Sequence, residues 1–231
     1  MAPPPTRDRV RSSVEEVRSR IAQACERSGR PPSSVRLLAA AKSVPVEVVG
    51  WALEAGVSDV GENFVRELAT KRERLPAATW HFIGNLQSHT AHRVAELADV
   101  VQTVVPGRAL VRLARRASQR GWTLPVLIEV DLTGRRSGVP PDEVLAAADE
   151  VMGTEGVELA GLMTVPEIPT DPEEARPAFR RLRALGDRLV EAHPGAGELS
   201  MGMSLDYEVA VEEGATMVRI GTGLFGPRPP E

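Results

Sequence analysis

Lysine is nearly missing from this 231-residue chain: Lys42 and Lys71 are its two amine side chains among 28 basic residues. Guanidinium groups supply positive charge everywhere else, so a lysine closing an apolar strand, as Lys42 closes "VRLLAAAK", points to a task that arginine cannot perform. A genome biased toward arginine codons would also deplete lysine, so rarity alone does not assign that task. Cysteine is scarcer still. Cys25 stands alone inside a helical pattern, which excludes an intrachain disulfide and a cysteine metal cluster. No apolar run approaches the length of a bilayer span, and "MAPPPTRDR" lacks the apolar core of a secretion signal. These absences lead us to expect a cytoplasmic protein with no membrane partner. A net charge of −4 gives no broad footprint for nucleic acid, and the expected ligand is small.

What is present is a repeating alternation of short apolar runs and amphipathic segments. Val10, Val14, Val17, Ile21 and Ala24 fall on one face of a helix that ends near Gly29 and precedes the first strand. Eight strands are expected, over 35–41, 58–61, 79–83, 99–104, 125–130, 157–163, 198–200 and 216–220. Helices are expected over Val46 to Ala55, Phe64 to Arg74, Ala109 to Arg120, Asp142 to Met152, Glu173 to Ala192 and Tyr207 to Glu213. Repeated βα units imply a parallel sheet covered by helices, and eight of them imply closure into a (β/α)8 TIM barrel with an extra N-terminal helix. An open doubly wound sheet is the alternative, disfavoured because no GxGxxG follows the first strand. The Pro and Gly clusters at 29–32, 138–141 and 194–197 read as turns, so residues 1–231 are expected to form one domain with frayed ends at about 1–6 and 227–231.

In such a barrel the C-terminal strand ends line the site. That rule selects Lys42, Glu62, Asn63, Gly84, Asn85, Asp131, Thr164, Ser200 to Ser204 and Gly221 to Gly223. Lys42 could be a surface lysine paired with Glu62, or an amine that condenses with an aldehyde. In "MVRIGTGLFGPR", Gly221, Thr222 and Gly223 follow a strand directly. They read either as a glycine turn or as a phosphate cup of backbone N–H groups, with Ser200 and Ser204 of "LSMGMSLD" as neighbouring donors. Phosphate sites of barrels commonly lie after strands seven and eight, where these segments fall. Arg219 either points into the barrel mouth or is buried and paired with Glu62 or Asp206. His89 and His92 lack a nearby third ligand, so no metal site is expected.

An amine, a phosphate cup and an inward arginine are together what holds pyridoxal 5′-phosphate through an internal aldimine. "LLAAAKS", "GENFVRE", "WHFIGNLQS", "GLMTVPE" and "LSMGMSLDYEVAVEEGATMVRIGTGLFGPR" also resemble the successive signatures of the pyridoxal phosphate homeostasis proteins, the YggS/PROSC family, over nearly the whole chain. The resemblance implies a fold type III barrel like the N-terminal domain of alanine racemase, with Lys42 matching the Schiff-base lysine. It implies phosphate contacts at Ser200, Gly221 and Thr222, and places Met201 and Ser204 in the same cofactor-binding loop. Arg219 matches the residue that faces the pyridine nitrogen; Asn63 and His81 match polar residues of pocket motifs. Two departures stand out: His89 and Thr90 where the family commonly has Asn and Lys, and Arg136 where "KSG" is common. These features together lead us to expect a protein that holds the cofactor for intracellular homeostasis and amino-acid balance, with apoenzymes as recipients and without strong catalysis of its own, and a monomer, since the second domain that would complete a dimeric racemase site is not seen in the sequence. A single-domain amino-acid racemase is the alternative, opposed by an arginine that weakens the electron sink and by the single tyrosine, Tyr207. A phosphosugar-type barrel enzyme without pyridoxal phosphate is a third reading.

Overall fold

A computed structural model of the chain describes residues 5–135 and 137–227. Arg136 and the outermost parts of both expected frayed ends therefore lie outside the described residues. Eight parallel strands close into a barrel in sequence order: β1 (Arg36–Ala40), β2 (Asp59–Glu62), β3 (Thr79–Phe82), β4 (Val100–Val104), β5 (Leu124–Glu129), β6 (Val157–Met163), β7 (Glu198–Ser200) and β8 (Met217–Ile220). Closure is made by β1 against β8, with Arg36 opposite Met217 and Ala39 opposite Ile220. The open-sheet alternative is thereby excluded.

Alternation along each strand sorts the side chains into two sets. Leu37, Ala39, Val60, Trp80, Phe82, Val101, Val126, Ile128, Leu162, Val218 and Ile220 belong to the large apolar core. The other parity holds Leu38, Gly61, His81, Gln102, Leu127, Met163, Met217 and Arg219, so the barrel's own interior mixes polar groups with apolar ones. Gly61 lies close to its neighbours there: a Cβ at this position would lie 2.6 Å from Leu38 Cδ2 and 2.8 Å from Ile83 Cδ1, so those side-chain ends would have to move. The barrel is packed closely enough across β2 that even a methyl group would force a shift.

The covering helices are α1 (Arg7–Arg27), α2 (Val46–Glu54), α3 (Val65–Arg74), α4 (Ala91–Leu97), α5 (Arg108–Gln119), α6 (Val144–Met152), α7 (Arg176–Ala192), α8 (Tyr207–Glu212) and the single-turn α9 (Thr222–Phe225). The face read from the spacing in α1 is the buried one, extended by Cys25, and the Thr6 hydroxyl accepts the Arg9 N–H at its start. This helix packs against α2, α8 and α9. It thus fills the place in the helical layer that the short α9 leaves between α8 and α2. Two expected helices begin later than their amphipathic pattern: 3-10 turns at Pro141–Glu143 and Pro172–Ala175 precede α6 and α7. Proline at the start of each turn presets φ and lacks the N–H that an α-helix would need further along. No helix among the described residues is long and apolar enough to cross a membrane.

Candidate functional site

At the C-terminal mouth of the barrel lies a cavity of about 680 Å³ lined by Ala40, Lys42, Asn63, Ile83, Asn85, Thr103, Glu129, Arg135, Ser137, Met163, Val165, Met203 and Arg219. Strand ends and the loops that follow them supply the lining, as barrel geometry requires. A volume of this size suits a small ligand.

Lys42 sits two residues beyond β1, half-buried, with its Nζ 5.3 Å from the centre of the Phe64 ring. Its backbone is fixed from both sides. Ala41 N–H donates to the Gly61 carbonyl at 2.8 Å, and Ser43 N–H donates to Glu67 Oε2 at 2.9 Å. Ser43 has φ of 60°, the single non-glycine residue with positive φ among those described. Such a conformation persists only where surrounding contacts hold it.

Here the Val44 N–H closes the turn onto the Ala41 carbonyl at 3.0 Å, and that carbonyl and Glu67 are both held by Lys71, the second lysine of the chain, which is 5% exposed. Its Nζ donates to the Ala41 carbonyl at 2.8 Å, to Glu67 Oε2 at 2.9 Å and, in a short contact, to Glu62 Oε1. Glu62 is fully buried, and its other oxygen accepts the Asn63 N–H at 3.2 Å. Burial pushes the Glu62 carboxyl up, with Lys71 opposing. Burial also acts on Glu67, but the hydrogen bonds from Lys71 and from Ser43 N–H outweigh it and hold that carboxyl below its ordinary range. Glu62 is therefore the partner of Lys71 rather than of Lys42. Removing one member of such a buried pair costs about 3–5 kcal/mol.

Arg219 is buried at the cavity floor. It donates to Ser200 Oγ at 2.6 Å and to the Thr164 carbonyl at 2.7 Å, neither of them the Glu62 or Asp206 carboxylate considered from sequence. A chain of polar side chains continues from it through the barrel interior. Ser200 Oγ donates to Gln102 Oε1 at 2.7 Å, Gln102 Nε2 lies 2.9 Å from His81 Nδ1, and His81 Nε2 lies 2.9 Å from Asp59 Oδ1. Burial acts to raise the Asp59 carboxyl, but the bonds from His81 and Ser58 outweigh it and hold the group below its ordinary range. Ser200 and His81 thus belong to the interior chain beneath the cavity and do not line it. Met201 is fully buried in the apolar core.

The cup forms where β8 meets α9. Leu224 and Phe225 N–H close onto the Gly221 carbonyl at 3.0 Å, and Gly223 N–H donates to Ser204 Oγ at 3.1 Å. The first N–H groups of a helix have no acceptor within it; Ser204 Oγ takes the Gly223 N–H, and the Thr222 N–H is the donor left for a ligand. A Cβ at Gly223 would lie 2.8 Å from Ile220 Cγ2 and 3.5 Å from Ser204 Oγ, so the glycine keeps the cup open. Gly221, Thr222 and Ser204 are brought together here, and Arg219 lies two residues before them on β8. The residues present fit a ring bearing an aldehyde and a phosphate: an amine, an arginine floor and a small backbone cradle. Asp131, by contrast, folds onto its own loop, accepting from Thr133 and Gly134 N–H at 2.8 and 3.0 Å. Thr164 donates to the Val130 carbonyl.

Sequence reasoning missed Glu129, Thr103, Met163 and the loop residues Arg135 and Ser137. Glu129 carried the same signal as Lys42, a charged side chain at the end of an apolar strand. Thr103, whose hydroxyl donates to the Gly84 carbonyl at 2.5 Å, gave none. The departure at Arg136 lies outside the described residues. His89 and Thr90 stand at the start of α4, and no cluster of metal-ligating side chains occurs among the described residues.

Residues 13–229 match the family model described as alanine racemase, N-terminal domain. A pyridoxal phosphate homeostasis protein of Aquifex aeolicus is 39% identical, over 93% of this chain and 96% of its own length. The PipY protein of Synechococcus elongatus, solved with PLP bound, is 34% identical with a TM-score of 0.79, covering 91% of this chain and all of that one. An alanine racemase of Clostridium difficile, 17% identical with a TM-score of 0.77 over 97% of this chain and 61% of that one, shares the fold.

Proposed function

Since this chain belongs to the pyridoxal phosphate homeostasis protein family, built on the alanine racemase N-terminal domain, we propose that it binds pyridoxal 5′-phosphate in the mouth cavity and serves cofactor homeostasis rather than catalysis. Lys42 is the covalent anchor. Its amine would hold the cofactor by reversible condensation with the aldehyde, one water being released on attachment and taken up again on release. The cup of Ser204, Gly221, Thr222 and Gly223 takes the phosphate, and Arg219 faces the ring. A guanidinium only donates, so a pyridine nitrogen held against it would stay unprotonated and the ring would supply only a weak electron sink. That favours holding over carbanion chemistry.

The observation that carries this reading is the convergence of Lys42 and Arg219 on one cavity of cofactor size. The racemase alternative is not favoured. The one tyrosine, Tyr207, is 6% exposed and does not line the cavity, and burial followed by the Glu208 charge pushes its phenol up to about 12. As part of the same reading, residues 1–231 act as a single monomeric domain in the cytoplasm, buffering amino-acid metabolism by releasing the cofactor to apoenzymes. An absorbance titration with pyridoxal phosphate tests the anchor. The parent protein develops an imine band, and Lys42→Ala develops none while still binding the phosphate tail. An imine band of parent strength in Lys42→Ala would refute the assignment.

A further inference from the structure

Both lysines of this arginine-rich chain meet at one rim of the barrel. Lys71 does not line the cavity, yet its ammonium joins the carbonyl of Ala41 to the carboxylates of Glu62 and Glu67. Glu67 then accepts the N–H of Ser43. The residues immediately before and after Lys42 are therefore tied to the same buried cation. We propose that Lys71 is a positioning residue for Lys42, acting through a clamp of Glu62 and Glu67 that fixes the direction in which the Lys42 amine leaves the strand.

Three features carry this. The clamp contacts backbone on both sides of Lys42, so it sets the Cα–Cβ vector and not merely the local packing. Ser43 occupies a left-handed conformation, φ 60°, that a β-carbon disfavours; the Val44 N–H closes that turn onto the Ala41 carbonyl at 3.0 Å, and the Glu67 bond to Ser43 N–H braces it from α3. Three oxygens from α3, β2 and the β1 loop converge on one nitrogen. A compact ammonium fills that site, whereas a planar guanidinium spreads its donors over a fork and is too wide for it. This explains why the second position that keeps lysine is 71. Glu62 extends the same clamp to Asn63 N–H, so a second cavity-lining residue is set by it.

The inference rests on Lys42 being the covalent anchor, and the test separates the two claims. Imine formation with pyridoxal phosphate would be followed by absorbance and borohydride trapping. Affinity for pyridoxine 5′-phosphate, which keeps the ring and phosphate but has no aldehyde, would be measured in parallel. A misaimed reacting group loses up to about 100-fold, so Lys71→Gln is expected to weaken imine formation at least about tenfold while pyridoxine phosphate affinity stays within about twofold. Lys71→Arg is expected to rescue neither geometry nor imine formation. Should Lys71→Gln fail to fold, Glu67→Ala replaces it, a partly exposed position whose loss frees Ser43 N–H; about a threefold loss restricted to the aldehyde ligand is expected. Imine formation at parent strength in the variant that folds would overturn the positioning role, as would equal loss of both ligands. If the parent itself traps no pyridoxal phosphate, the covalent anchor and this inference fall together. If the parent traps it and the variants match it, only this inference falls.

Discussion

Asp206 illustrates how one residue's surroundings set its charge. Its Oδ1 accepts the Met203 N–H at 2.6 Å while its Oδ2 is buried with no hydrogen-bond partner. Burial pushes the carboxyl above its ordinary range, and the Met203 N–H and the Arg219 charge oppose this only in part. A raised folded value means that the favourable contribution is full below the unfolded value of about 4 and is lost as pH rises through the folded one. Asp206→Asn keeps the acceptor for Met203 and cannot ionise. Its urea midpoint relative to the parent is therefore expected to rise between about pH 4 and pH 8; a difference that is flat or falls with pH would contradict this. Gln102 shows the opposite case, a neutral group with every polar atom used, between Ser200 and His81. Gln102→Leu leaves the Ser200 and His81 atoms buried without it, and a loss of about 1–3 kcal/mol per orphaned group is expected in chemical denaturation. A parent-like midpoint would show that the interior chain is dispensable for stability.

At the scale of elements, β8 and α9 together make the cup, and Gly223 is its least replaceable part. Gly223→Val places a side chain against Ile220 and Ser204 at the opening. Competition by inorganic phosphate is expected to weaken about tenfold, the worth of a charge-assisted hydrogen bond, with some loss in melting temperature as well, because the new Cβ presses on the buried Ile220. Unchanged competition would place the anion elsewhere. On the outer face of β3, Phe82 is 1% exposed beneath the helices, and Phe82→Ala is expected to cost about 3–5 kcal/mol in unfolding experiments. These elements were readable in advance because strand and helix periods differ sharply: the apolar run through Leu37 to Ala41 and the 3–4 spacing of α1 admit one interpretation each. The short α4 did not stand out, since seven residues, Ala91–Leu97, give under two full turns of pattern. The late starts of α6 and α7 were hidden because proline turns continue a helix's polarity without its hydrogen bonds.

Viewed whole, the molecule is a barrel whose outward strand faces are apolar and whose inward faces carry a polar chain from Asp59 at the base to Arg219 at the cavity floor. Strand order and parity, readable from sequence once the strands are placed, put Asn63 and Lys42 at the rim and turned Arg219 inward beneath them. Depth along the barrel axis was not readable, because it depends on how the strands stagger. That is why Ser200 and His81 lie beneath the cavity and why Glu129 was overlooked two positions before Asp131. The fixing of Lys42 by Lys71 was equally hidden, since the two lysines, separated by 28 residues of chain, are brought together only by pairing of β1 with β2. With two lysines in the chain, the central claim reduces to a choice between few amines. Protein incubated with pyridoxal phosphate, reduced with borohydride and mapped by peptide mass spectrometry should carry one pyridoxyl group, on the peptide containing Lys42. A label on Lys71, on the terminal amine, or on no peptide at all would contradict the account.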